Sequence, residues 1–160
     1  MHRYLTAAVF VTLLPISSFA EGLQHVKQTI YGMDCAPCAY GVEKGLKGLD
    51  GVDEVTVSLN EGYAEVRLHD GGQTTLAEIR SVIQKNGFTP KNAVVTVSGV
   101  LTESDDNSRL VLETETGVFL LEIDDEHRRT QLATRLGERV QLVGRIPAED
   151  ERMLSVTSIG

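Results

Sequence analysis

Cys35 and Cys38 are the only cysteines in a chain of 160 residues, and they stand three positions apart in Gly32-Met33-Asp34-Cys35-Ala36-Pro37-Cys38. Two thiols at that spacing can close on one thiophilic ion, or on each other as a disulfide. A Cys-x-x-Cys bridge closes so short a loop that it adds little chain-entropy stabilisation. Chemistry therefore explains the spacing better than stapling does. The thiolate is the ligand form, and a helix-like run over Ala39 to Leu49 sets Cys38 in a first helical turn, where the positive end of the dipole favours the anion. Pro37 suits that turn because it needs no amide hydrogen there, and Gly32 gives the backbone room to turn. Met33 is either a third, thioether ligand or a core side chain that pins the loop, and the second reading is preferred.

Two thiolates without a neighbouring histidine select Cu(I) or Hg(II), which accept near-linear coordination by two sulfurs, whereas Zn(II) normally takes four ligands. Asp34 leaves a harder alternative open. Its carboxylate could add a third ligand beside Cys35 and admit Zn(II), Cd(II) or Pb(II), or it could cap the loop or the helix behind it. His2, His25, His69 and His127 are scattered without ligand spacing.

The elements around this loop follow from periodicity. A strand over Val26 to Tyr31 leads in, and Val42, Leu46 and Leu49 give the departing helix one apolar face. Val55, Val57 and Leu59, then Ala64, Val66 and Leu68, alternate with polar neighbours on either side of Asn60-Glu61-Gly62, as a β-hairpin does. Thr75-Leu76-Ala77-Glu78 is a capping box opening a second helix, with Leu76, Ile79, Val82 and Ile83 inward and Asn86-Gly87 ending it. Phe88-Thr89 begins a last strand that Pro90 is expected to keep short. The order βαββαβ predicts a ferredoxin-like α+β domain over residues 21–91.

A second unit is expected over residues 92–160. Val95, Val97 and Leu101 alternate around Gly99, and Leu110 to Glu113 with Val118 to Ile123 form a hairpin joined near Thr116-Gly117. Asp124 or Asp125 caps a helix running to about Leu136, with Leu132, Ala133 and Leu136 inward, and strands follow at Val140 to Ile146 and Met153 to Ile159. This order predicts a small OB-like β-barrel. OB folds often take oligonucleotides, but residues 93–160 carry 13 acidic against 7 basic side chains and a single aromatic one, Phe119. Strand binding wants the reverse, so a protein-contact or stabilising role is expected.

The cysteine motif, with Val42, Leu46 and Gly51-Val52 behind it, resembles the heavy-metal-associated domain family over residues 24 to about 90. That family includes copper chaperones, amino-terminal domains of metal-pumping ATPases, and the periplasmic mercury-binding protein. The resemblance implies that Cys35 and Cys38 bind the metal. It also implies a carrier that is no enzyme, with a metal-transporting membrane protein or another metal-trafficking protein as partner. Asp34 stands where the family usually has threonine; in zinc-exporting relatives with aspartate there, the carboxylate is thought to join the metal. Phe88 falls where copper-handling members often place an aromatic residue near the loop.

The amino terminus reads as an export signal cleaved after Ala20: Arg3 precedes an apolar run over Tyr4 to Ile16, and Ser18 and Ala20 supply small residues at the cleavage positions. A periplasmic location is expected, and the run, broken by Pro15, is too short to span a membrane. The formal charge of −8 argues against a nucleic-acid partner. The rival reading is a periplasmic thiol–disulfide oxidoreductase attacking through Cys35. Against it, the strand order and cis-proline loop of a thioredoxin-like chain are missing.

Overall fold

Residues 21–105 and 109–160 are described by the computed structural model. The expected leader, residues 1–20, and the middle of the acidic loop, 106–108, lie outside the described residues.

Alternating burial builds the first half. β1 (Gly22–Tyr31) turns Val26, Gln28 and Ile30 inward, and β2 (Val52–Ser58) and β3 (Tyr63–Leu68) contribute Val55, Ala64, Val66 and Leu68. α1 (Ala36–Lys47) buries Val42 and Leu46 against them, and α2 (Leu76–Lys85) buries Leu76, Ile79 and Ile83. β4 (Thr89–Glu103) completes an antiparallel sheet in the order β2-β3-β1-β4. That order, with α1 and α2 touching each other over the sheet, is the ferredoxin-like arrangement.

The capping box of α2 is complete. Thr75 Oγ1 accepts the Glu78 amide at 3.2 Å, and Glu78 Oε2 accepts the Thr75 amide at 2.8 Å. Those donated hydrogen bonds, from the Thr75 amide first and its hydroxyl second, hold the Glu78 carboxyl below its ordinary value.

Pro90 does not keep the last strand short: β4 runs through 15 residues. The physical reason lies in the register. Pro90 is the second residue of the strand, opposite Ile30 and beside the shift in the β1–β4 pairing between Gln28 and Ile30, and strand starts and bulges are where a missing amide is tolerated. The buried Gln28 carboxamide serves the carbonyls at that irregularity, donating to Thr29 O at 2.8 Å and Lys91 O at 2.7 Å. The junction expected between residues 91 and 92 falls inside β4.

From Ala93 onward the same strand also belongs to a closed barrel. β5 (Leu110–Thr114), β6 (Gly117–Glu122), β7 (Arg139–Ile146) and β8 (Met153–Ile159) close it in the order β4-β5-β6-β8-β7, with β7 returning to β4. Every pairing is antiparallel except β6 with β8. Two glycines permit the tight closure. A Cβ on Gly99 would collide with the Glu113 carbonyl oxygen, and one on Gly144 would lie 2.6 Å from that of Ser155. α3 (Glu126–Ala133), capped by Asp125, plugs the barrel with Leu132. It is shorter than expected. The helix stops at Ala133, a turn leads to Gly137 at φ +80°, and Ala133 and Leu136 face outward, Leu136 42% exposed.

Arg80, on α2, joins the two halves. Only 3% exposed, it donates from Nε to Gln28 Oε1 at 3.1 Å, from Nη1 to Glu151 Oε1 at 3.3 Å, and from Nη2 to Pro147 O at 2.9 Å and Lys91 O at 3.3 Å. Pro147 and Glu151 belong to the β7–β8 loop. One apolar cluster runs unbroken from Val26 and Ile83 through Val95 and Val97 to Leu142 and Leu154.

Candidate metal centre

The loop from β1 to α1 is short because each residue has a local task. Gly32 takes φ +90°, which a side chain would resist, and turns the chain off the end of β1. Met33 is buried in the core cluster, while Asp34 remains exposed. Cys35 is the N-cap of α1: its Sγ accepts the Cys38 amide at 3.2 Å, and its carbonyl accepts the Ala39 amide at 3.1 Å. The helix cap is thus a sulfur rather than the Asp34 carboxylate. Ala36 and Pro37 fill the next two positions, and Cys38 lies inside the first turn, half-buried against the core.

Cys35 and Cys38 are joined as a disulfide, with Cα atoms 5.1 Å apart. One carboxylate oxygen of Asp34 and both Sγ atoms lie within 4.8 Å of one another, the one such His/Cys/Asp/Glu group among the described residues. His25 pairs instead with Glu65 at 2.7 Å, and His69 Nδ1 meets the Asp70 carbonyl at 3.2 Å. Phe88 is half-buried against the core. Two large side chains stand out beside the loop: Tyr31, 70% exposed, and Tyr40, 66% exposed.

α1 is held in place by a contact that periodicity did not reveal. A Cβ on Gly41 would sit 2.9 Å from Asn86 Oδ1, and one on Gly45 would sit 2.7 Å from Val82 Cγ1. These glycines, four apart on one face, let α2 approach closely. The spacing was visible in the sequence, although nothing there said which element would fill the groove. Arg80 was missed too, since its partners are remote in sequence.

The heavy-metal-associated domain model matches residues 29–89. A copper chaperone, CopZ, of Staphylococcus saprophyticus is 34% identical over 62 residues, which cover 39% of this chain and 90% of the chaperone. The chain belongs to the heavy-metal-associated domain family. A copper-transporting ATPase of Helicobacter pylori is 37% identical over 71 residues, 43% of this chain but only 9% of the ATPase. Among solved structures, one described as CopZ metallochaperone is 26% identical, covers 41% of this chain and 97% of its own, and has a TM-score of 0.39. The family match ends at residue 89, before the barrel strands β5 to β8. Among the described residues no helix is long and apolar enough to cross a membrane.

Proposed function

We propose that this protein is a metal carrier that holds one Cu(I) between Cys35 and Cys38, in their reduced form, and passes it on by ligand exchange. The observation that carries the reading is the placement of both sulfurs at the solvent-reached start of α1, with no histidine in the group. Two soft donors and no third nitrogen suit a cation content with two ligands. The copper names of the chaperone and the ATPase support Cu(I) as cargo. Hg(II) has the same coordination preference and is the other cargo the sulfur pair fits.

The chain performs no catalysis in this reading. Its partner is a metal-transporting membrane protein or another metal-trafficking protein, and the acidic balance argues against nucleic acid. Residues 1–20 supply export to the periplasm, and the mature chain does not span the membrane. The barrel is an OB-type fold: its strand order, its single parallel pair and a helix between the third and fourth strands support that assignment.

Asp34 supports a second reading. Its carboxylate reaches the sulfur pair and would supply the extra, harder ligand that Zn(II), Cd(II) or Pb(II) prefers.

One titration tests both readings. The reduced chain, competed against a chromogenic chelator, should bind one Cu(I), and the Cys35→Ser/Cys38→Ser double variant should bind at least about a hundredfold more weakly. Undiminished binding by the double variant refutes the site. In the same assay Asp34→Thr should weaken Zn(II) by about tenfold or more while leaving Cu(I) nearly unchanged. Equal effects on the two ions reject the carboxylate as a ligand.

A further inference from the structure

We propose that the barrel carries a binding groove of its own, which takes a short peptide segment of a partner protein in which aliphatic side chains alternate with lysine or arginine. The groove measures about 630 Å3 and lies between α3 and the adjoining ends of β4, β5, β6 and β8. That size falls within the span of about 300–1,000 Å3 found for ligand pockets. Its lining residues run from Glu103 to Met153, all beyond residue 89 where the family match ends, so the inference is independent of the carrier reading.

The apolar part of the groove is a strip on the strands. Leu120 of β6 is paired with Met153 of β8, and residues paired across neighbouring strands share a face, so the two lie side by side. Both are half-buried, as is Leu110 at the start of β5. The opposite wall comes from α3. Leu132 is turned into the barrel, which leaves Ala133 exposed, and its small side chain keeps the groove open. A bound aliphatic side chain removes this strip from water.

Charge decides what accompanies the aliphatic groups. Glu103, Glu122 and Asp124 are exposed along the groove, and none of the three carboxylates forms an ion pair among the described residues. Ser155 Oγ donates to Glu122 Oε2, a neutral contact that leaves the charge uncompensated. Two arginines share the groove. Arg129 Nη2 donates to the Ile123 carbonyl at 2.7 Å, whereas the exposed Arg109 makes no ion pair among the described residues. A basic and aliphatic peptide answers each of these groups. Its ammonium or guanidinium groups meet the carboxylates, and its main-chain carbonyls accept from Arg109. An acidic peptide or an oligonucleotide would set like charge against the three carboxylates.

The isotope-labelled full chain is titrated with a capped tetrapeptide of alternating leucine and lysine and followed by NMR. Shifts are expected at Leu110, Leu120, Ala133 and Met153, with binding at least about tenfold tighter than that of capped leucine–glutamate or glycine–lysine tetrapeptides. Equal binding of the glycine–lysine peptide reduces the effect to attraction by an acidic chain and overturns the groove. Equal or tighter binding of the leucine–glutamate peptide overturns the charge assignment, and shifts confined to other residues, or none, overturn the site. Two variants change exposed side chains only: Glu103→Gln/Glu122→Gln/Asp124→Asn removes the charge, and Ala133→Lys fills the groove with a like-charged chain. Each should weaken the leucine–lysine peptide about tenfold at an unchanged melting temperature. Undiminished affinity in either variant overturns the proposal.

Discussion

Arg80 lies between Leu76 and Ile83 on α2 at spacings of four and three, so its guanidinium enters the molecule on the apolar face. Burying that charge is tolerable because Gln28, Lys91, Pro147 and Glu151 all accept hydrogen bonds from it. Removing it takes their donor from the buried Gln28 amide oxygen and the Pro147 carbonyl and takes the cation from beside the Glu151 carboxylate, while the Lys91 carbonyl keeps Gln28 Nε2; each loss costs free energy. Arg80→Ala should therefore lower stability by about 3 kcal/mol, with Arg80→Lys intermediate because it lacks the planar fork. Urea unfolding measures this, and an unchanged midpoint would show that the network contributes nothing. The contrast with the cysteines explains what was readable at this scale. Cys35, Cys38 and Asp34 fall within five consecutive residues, and their chemistry is local. The acceptors of Arg80 stand 11 to 71 positions away, a juxtaposition that only the folded chain supplies.

Among the elements, those with a period and a punctuation mark were legible. The capping box announced the start of α2, and the alternation Val140, Leu142, Gly144, Ile146 announced β7. α3 was overextended because Leu132 and Leu136 have helical spacing, yet a single buried leucine suffices for the barrel. β4 was cut short because proline reads locally as a breaker, whereas the shift in its pairing with β1 makes the proline harmless. The capping box also carries a pH dependence. Glu78 titrates below its ordinary value in the folded chain because the Thr75 amide and hydroxyl donate to its carboxylate. Its contribution is therefore complete above the ordinary glutamate range and is lost as pH falls through and below that range. Glu78→Gln should melt at a lower temperature than the wild type at pH 7, with the gap closing as the pH is taken through and below the ordinary glutamate range. A gap of constant size at every pH would contradict this assignment.

The whole molecule is unified by β4. Its residues Ala93 to Ser98 pair with β1 on one edge and with β7 on the other. A fragment ending at residue 91 would keep only the Ile30–Pro90 and Tyr31–Thr89 pairs of the β1–β4 ladder. It would also lose the core contributed by Ala93, Val95 and Val97, and two of Arg80's acceptors, Pro147 and Glu151. Residues 21–91 alone should therefore show no cooperative unfolding transition by circular dichroism, while the full chain shows one. A fragment that unfolds cooperatively at the full chain's midpoint would show the halves to be independent.

The outer side of β4 has a further consequence for whatever meets this protein. A polypeptide that docks by adding itself as an extra strand needs a row of unclaimed amides and carbonyls, and on that flank β7 has already taken them. The opposite margin, β2, is the terminal strand of the sheet order, with Asp53, Glu54 and Thr56 exposed along it. Of the first half's sheet, only the acidic β2 edge is thus left for an added strand, because β7 occupies the far side of β4.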